Sequence, residues 1–209
     1  DIPLRPVSRE VFDIESYPVD NIAMAVGGDA MNESTIISRL GFKTGLMAAI
    51  GDDAAGAFIL RSCDEDNIDT EGVTIDPNLN TSINIGLVTE DGERTFITVQ
   101  GAECHFKKEW FEQIDMDNYE NIYIAGYQVC GKSGEIISQW LKTVENVEEK
   151  HIFFAPGPMI TAIESETMEN LFALKPILHI NEAEAKGYTQ QENVEEAVRA
   201  LYEKSGNLV

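Results

Sequence analysis

The sequence predicts an α/β fold, in which a mainly parallel sheet is flanked by helices on both faces and carries a small β element. Two observations lead to this prediction. Short apolar segments that suit buried strands alternate along the chain with stretches of helical pattern, which is typical of strand–helix–strand units. One Asp-Gly pair also separates two segments of alternating apolar residues, which indicates a hairpin that projects from the main sheet.

The first α/β unit covers residues 34–66. The pattern predicts a helix over residues 34–40, which Gly41 ends because glycine accepts a left-handed backbone. The apolar segment 44–51 lies between glycines and predicts a buried strand. Residues 54–66 predict a second helix, whose apolar side is supplied by Phe58, Ile59 and Leu60.

The predicted hairpin covers residues 82–99. Apolar and small or polar residues alternate from Ile83 onwards, the segment Glu90 to Glu93 turns the chain, and a second strand runs over 95–99. The α/β alternation then resumes, with strands predicted at 121–125, 151–155 and 176–180 and helices at 134–144, 164–171 and 193–205. Residues 206–209 resemble the start of another strand, so we expect the chain to stop within the fold.

Composition excludes several classes of function. The 37 acidic and 15 basic residues give a net charge of −22, which disfavours a nucleic-acid partner. No apolar segment approaches the roughly 20 residues that span a bilayer, and we expect a cytoplasmic protein. The three cysteines and three histidines lack the spacing of a zinc site or a disulfide framework.

The densest candidate site is the segment from Gly27 to Ser34. Paired glycines before a helix let the backbone approach a ligand closely, and the helix N-terminus offers N–H donors to hydroxyl or anionic oxygens. Asn32 can present both a donor and an acceptor to two neighbouring hydroxyls. Residues of this kind also make up ordinary strand-to-helix turns, in which Asn or Asp caps the helix.

From Gly27 to Gly51 the chain resembles the first signature of the ribokinase-like (PfkB) carbohydrate kinases. The signature has paired glycines, a small residue (Ala30), Asn32, a second small residue (Ser34), and then glycines at matching spacing. The resemblance continues in the turn Gly51-Asp52-Asp53-Ala54-Ala55-Gly56, in Thr81 at the start of a lid strand and in the Gly92-Glu93-Arg94 turn. Asn181-Glu182-Ala183-Glu184 is similar to the family's N-x-x-E motif.

The resemblance implies a fold, an activity and a set of residues. The β lid would comprise residues 1–26 and 81–100, and the α/β core residues 27–80 and 101–209. Lids of this kind often pair between subunits, so a homodimer is expected. The activity implied is transfer of phosphate from ATP, with Mg²⁺, to a hydroxyl of a sugar or nucleoside, and a role for a monovalent cation is left open.

The implied site residues follow from the same motifs. Asp1, Gly27, Gly28 and Asn32 would contact the sugar, while Gly101 would lie at the hinge where the lid returns. Asn181 would lie near the nucleotide phosphates, and Glu184 would help to position Mg²⁺ through water. The alternative for this last pair is a helix N-cap followed by an exposed acid.

Two departures from the family pattern limit these expectations. The D-T-x-G-A-G-D signature, which carries the general base and the anion hole, does not occur in the 209 residues, so the base is expected beyond Val209. Asp29 also replaces the basic or small residue that often follows the paired glycines, which argues against a phosphorylated sugar. A sugar- or nucleoside-binding regulatory protein without phosphotransfer therefore stays open as an alternative.

A second alternative rests on the segment from Gly126 to Ser133. It fits the phosphate-loop pattern G-x-x-x-x-G-K-[ST], with a predicted strand before it and a helix after it. Such a four-position pattern arises by chance in about one chain in a hundred. The later strands also lack a terminal Asp that could bind magnesium, and we therefore place the P-loop NTPase reading behind the kinase.

Overall fold

The computed structural model describes residues 1–5, 7–112 and 114–209. The described chain forms two compact units, Asp1–Glu103 and Cys104–Val209. The first unit contains, in chain order, β1 (Ile2–Arg5), β2 (Asn21–Ile22), α1 (Asp29–Arg39), β3 (Ala48–Gly51), α2 (Ala54–Glu65), β4 (Val73–Asp76), β5 (Ile83–Val88) and β6 (Arg94–Val99).

A four-stranded sheet with the order β2-β1-β5-β6 makes up one part of the first unit. We call it the lid sheet. Strands β1 and β5 are parallel, and β2 and β6 flank them in antiparallel pairs. The predicted hairpin is confirmed, since β5 pairs with β6 from Ile83 opposite Val99 to Val88 opposite Arg94. Its turn depends on Gly92, which has a φ of 88°.

The other part of the first unit is a parallel pair of strands with two helices. Strand β3 pairs with β4 from Ala48 opposite Val73 to Gly51 opposite Asp76. A buried cluster of Met31, Leu46, Cys63 and Ile68 packs with apolar side chains of α1 and α2. These residues are far apart in sequence, and their burial stabilises this body by removing apolar surface from water.

The second unit is a parallel α/β layer. Its strands and helices are β7 (Asn121–Ala125), α3 (Gly131–Leu141), β8 (His151–Ala155), α4 (Ser165–Ala173), β9 (Ile177–Leu178), α5 (Glu182–Thr189) and α6 (Val194–Ser205). The sheet order is β7-β8-β9, with both pairs parallel. Beside β9, the Leu178 N–H donates to the Leu208 carbonyl at 2.9 Å.

The α/β prediction is confirmed, while some element bounds were wrong. Helix α1 begins at Asp29 and not at residue 34, because Gly28 takes a φ of 97° and an acidic residue suits the first turn. The strand predicted over 44–51 is reduced to β3, since Gly45 forms only one bridge, to Asp69. None of the helices in the described part of the chain has the length and apolarity that a membrane crossing requires.

Candidate active site

Asp1 lies at the centre of a small polar cluster in the first unit. Its Oδ1 accepts a hydrogen bond from Asn84 Nδ2 at 3.1 Å. The parallel register of β1 and β5, with Ile2 opposite Ile85, places these two residues side by side. Main-chain bonds join Asp1 to Ala25, which lies two residues before Gly27. The carboxylate is therefore fixed by both the lid strands and the segment that leads into α1.

Gly27 leaves the space that the Asp1 carboxylate occupies. A Cβ at this position would lie 2.3 Å from Asp1 Oδ2 and 2.8 Å from Asp1 Cγ. Real Cβ atoms do not approach other heavy atoms so closely, so only glycine fits here without a shift. The structure thus brings together Asp1 and Gly27, which the sequence analysis assigns to one site.

Gly28 and Asn32 lie at the start of α1. Gly28 is the N-cap residue, and no side chain caps the helix there. The first-turn N–H groups are thus left to water or to a ligand. The Asn32 side chain is exposed, while its main-chain N–H donates to the Gly28 carbonyl at 2.9 Å. Both residues therefore lie at the uncapped start of α1.

A cavity of about 60 Å³ opens beside this cluster. Its wall combines Asp1 and Gly27 with the apolar side chains of Met24, Val26, Phe58, Ile59 and Ile83. The volume is far below the roughly 300–1,000 Å³ of pockets that enclose whole ligands. A cavity of this size holds part of a sugar at most. Binding of a whole sugar therefore requires the lid sheet to move or further residues to line the cavity.

Gly101 lies where the chain leaves β6. A Cβ there would come within 2.2 Å of the Asn80 carbonyl oxygen and 2.6 Å of the Ser82 nitrogen. The next residue, Ala102, donates its N–H to Asn80 at 2.8 Å. The two ends of the hairpin therefore cross in direct backbone contact, which suits the hinge position that the resemblance implies.

Asn181 and Glu184 form a capping box at the start of α5. The Asn181 side chain accepts the Glu184 N–H at 2.9 Å, and Glu184 in turn accepts the Asn181 N–H at 3.3 Å. Asn181 Nδ2 also donates to Glu184 Oε1 at 2.6 Å. The capping alternative thus describes the structure of this segment.

The capping box limits how Glu184 could meet a metal ion. Both of its oxygens already accept one hydrogen bond and keep one lone pair each. Among the described residues, no group of three or more His, Cys, Asp or Glu side chains could hold an ion. A single carboxylate fits contact with Mg²⁺ through water, because this ion keeps several of its waters.

The segment from Gly126 to Ser133 lacks the geometry of a phosphate loop. The Ser133 hydroxyl, 3% exposed, accepts the Phe106 N–H at 3.2 Å. The Gly131 N–H donates to the Glu164 carboxylate, and Lys132 pairs with Glu135 at 2.7 Å. The Ser133 hydroxyl, which would bind magnesium in a phosphate loop, is buried. The Gly131 N–H, which would bind phosphate, already donates to a carboxylate. These contacts argue against the P-loop alternative.

Comparison with known families decides the assignment. Residues 2–209 match the profile described as pfkB family carbohydrate kinase. The chain belongs to this family. This result confirms the ribokinase-like resemblance, and it covers the segment from Gly126 to Ser133 as well.

Individual relatives of this pfkB-family chain are sugar and nucleoside kinases. The sugar kinase YegV of Escherichia coli is 26% identical over 163 residues, which are 77% of this chain and 49% of YegV. Aminoimidazole riboside kinase of Salmonella typhimurium is 33% identical over 81 residues, 38% of this chain and 25% of the relative. The chain thus spans about half the length of YegV.

Solved structures confirm the fold of this pfkB-family chain. The fructokinase of Halothermothrix orenii superposes with a TM-score of 0.75 at 15% identity, over 100% of this chain and 76% of the other. The ribokinase of Cryptococcus neoformans in complex with ADP superposes with a TM-score of 0.68 at 16% identity, over 97% of this chain and 63% of the other. At these identities the likeness concerns the fold alone.

Asn84 also lies in this candidate site, and the sequence prediction did not include it. Besides its bond to Asp1, it has an Oδ1 atom that is buried and has no hydrogen-bond partner. An unmet buried carbonyl is costly and is found where a ligand or water supplies the donor. The signal in the sequence was one polar side chain between the apolar Ile83 and Ile85 of a predicted lid strand.

Proposed function

We propose that this protein transfers the terminal phosphoryl group of ATP to a hydroxyl of a sugar or nucleoside. The observation that carries the proposal is the Asp1 carboxylate, held between Gly27 and Asn84 beside the uncapped start of α1. A fixed carboxylate accepts hydrogen bonds from hydroxyls, and the family membership supplies the reaction class.

The proposed roles follow the positions of the residues. Asp1, Gly27, Gly28 and Asn32 would bind the substrate hydroxyls, and Gly101 would act as the lid hinge. Closure of the lid over the sugar would exclude water, so that phosphate passes to the substrate and not to solvent. We assign no catalytic base among the described residues.

ATP and magnesium belong to the proposal through the second unit. Asn181, at the N-terminus of α5, would lie near the phosphates, and Glu184 would meet Mg²⁺ through water. The bound ADP of the Cryptococcus ribokinase supports an adenine nucleotide. A kinase that uses ATP fits a cytoplasmic location, which cell fractionation would check.

The first test is ADP release by the full-length protein with MgATP and a panel of pentoses, hexoses and nucleosides. Release that depends on one substrate class is expected. Asn32→Ala should weaken substrate binding by roughly three- to tenfold, the effect of about one hydrogen bond. Lys132→Ala should change turnover by less than about twofold, because an exposed ion pair contributes little.

The outcomes of this test separate the three candidate functions. Abolition of turnover by Lys132→Ala would restore the P-loop alternative. Substrate binding without ADP release for any member of the panel would favour the regulatory binding protein. Substrate-dependent ADP release with a raised substrate KM in Asn32→Ala, and with turnover kept in Lys132→Ala, would support the kinase.

Glu184→Gln separates the capping role of this residue from its proposed role with Mg²⁺. Gln keeps the capping box, so the melting temperature should stay within about 2 °C of wild type. The negative charge is lost, so the Mg²⁺ concentration at half-maximal activity should rise about tenfold. Titrations of activity with Mg²⁺ measure this. An unchanged Mg²⁺ requirement would leave Glu184 with the capping role alone.

We also propose a homodimer formed through the lid sheet. Ile22, Phe96, Ile97 and Val99 are each about half exposed or more, although they are large and apolar. Exposed apolar surface of this kind marks contact sites, and β6 is an edge strand. Sedimentation equilibrium should give a dimer that Ile97→Lys converts to a monomer. A wild-type monomer at micromolar concentration would refute this proposal.

A further inference from the structure

The start of the lid hairpin is hydrogen-bonded to the body of the first unit through Thr81. Thr81 is 5% exposed and comes two residues before β5 begins. Its Oγ1 accepts the N–H of Gly51, at the end of β3, at 2.9 Å. Its own N–H donates to Asp53 Oδ2 at 2.8 Å.

Asp53 uses its two carboxylate oxygens for two different elements. Oδ1 accepts the Gly56 N–H at 2.8 Å and so caps helix α2, whereas Oδ2 holds Thr81. The cap alone would need only one oxygen. The second bond fixes the main chain just before the lid strand that carries Asn84.

The backbone around this tether is packed without space for side chains. A Cβ at Gly51 would lie 2.3 Å from the Leu79 carbonyl oxygen, and one at Gly101 would lie 2.2 Å from that of Asn80. The end of β3 and the end of the hairpin therefore both pack against the same stretch, residues 79–82, which leads into β5. A movement of Thr81 would shift both lid strands.

We propose that Asp53 is a positioning residue, which holds lid strand β5 and its Asn84 beside Asp1 through its bond to the Thr81 main chain. The inference rests on the proposed kinase function, since the lid is expected to close over the sugar. Asn84 comes three residues after Thr81, within β5, and bonds to Asp1. Release of Thr81 would thus loosen the Asn84–Asp1 pair without any change in the site residues.

The electrostatics of Asp53 agree with two occupied oxygens. Burial raises the pKa of this carboxyl, but the N–H groups of Gly56 and Thr81, together with the Thr81 hydroxyl and the Ala55 N–H, lower it more in sum, so that the net pKa lies below the ordinary value. The stability it contributes is therefore present above the unfolded pKa and is lost as the pH falls through the lowered pKa.

Asp53→Asn tests the proposal, because Asn caps helices about as well as Asp while its NH₂ group cannot accept the Thr81 N–H. In the full-length protein the KM for the sugar should rise about tenfold with the KM for ATP unchanged. Hydrogen exchange should accelerate in β5 and β6 and stay slow in α2. Thr81→Val, which removes the acceptor for Gly51, should act in the same direction.

Asp52→Asn is the matched control, since it removes the same charge at the exposed neighbouring position. It should leave the KM for the sugar and the hydrogen exchange of β5 and β6 at their wild-type values. Wild-type exchange in β5 and β6 of Asp53→Asn, or faster exchange confined to α2, would overturn the tether. Faster lid exchange with an unchanged sugar KM would overturn the positioning role. A wild-type protein that never releases ADP would refute the kinase proposal and with it the positioning role, while exchange would still decide whether the tether exists.

Discussion

Replacement of Asp1 by Asn lowers kcat/KM for the sugar by about 10- to 100-fold, because hydrogen bonds to a charged acceptor contribute about 1.5–3 kcal/mol. The carboxylate can accept from a substrate hydroxyl while it also accepts from Asn84 Nδ2. An amide in its place has one oxygen and one NH₂ group, and that group would face the NH₂ of Asn84 or the substrate. Calorimetric titration and steady-state kinetics with the preferred substrate of the panel measure the loss.

Asp20→Asn is the control for this prediction, since it removes one exposed acid of the first unit just before β2. Its kinetic constants should match those of wild type. If Asp1→Asn keeps wild-type affinity and turnover, Asp1 does not bind the substrate and the site must lie elsewhere. A melting temperature close to wild type would show that the loss comes from the site and not from unfolding.

Gly27→Ala should impair the same site by steric means. The new Cβ would lie 2.3 Å from Asp1 Oδ2, so the carboxylate has to move away from Asn84. Overpacking of this kind costs about 1–3 kcal/mol, and we expect sugar affinity to fall by at least about tenfold. Calorimetry detects the loss of affinity, and circular dichroism checks that the variant remains folded.

Gly187→Ala is the matched glycine control. It lies within α5, and its Cβ would meet only Thr161 Cγ2, at 3.9 Å. Alanine favours the helix over glycine by about 0.5–1 kcal/mol, so this variant should bind sugar as wild type does and melt slightly higher. Wild-type sugar affinity in Gly27→Ala would show that the Asp1 carboxylate can shift without harm and would weaken its assigned role.

Much of the fold could be predicted because local chemistry decides it. The Asp-Gly pair and its alternating flanks led to the β5–β6 hairpin, and the strands at 121–125 and 151–155 have the predicted bounds. Gly27 and Gly28 of the signature were assigned to the site, and the structure places Gly27 against the Asp1 carboxylate. The domain division at residues 26, 80 and 100 stays a prediction.

The rest depends on partners that are distant in sequence. Asn84 joins the site because β1 and β5 are parallel, which brings together two residues that are 83 positions apart. The phosphate-loop pattern could not be judged from its own residues. In this segment the Gly131 N–H donates to the Glu164 carboxylate, and the Ser133 hydroxyl oxygen accepts the Phe106 N–H.

By itself, the sequence determined the α/β class, the hairpin and the glycine-rich turn before α1, since propensity, alternation and turn chemistry act over a few neighbouring residues. Only the tertiary structure decided which polar groups already have partners. The buried Asn84 Oδ1 has no hydrogen-bond partner, whereas each carboxylate oxygen of Asp53 accepts a main-chain N–H. The physical reason is that strand register and backbone crossings, not local sequence, set the distances over which hydrogen bonds form.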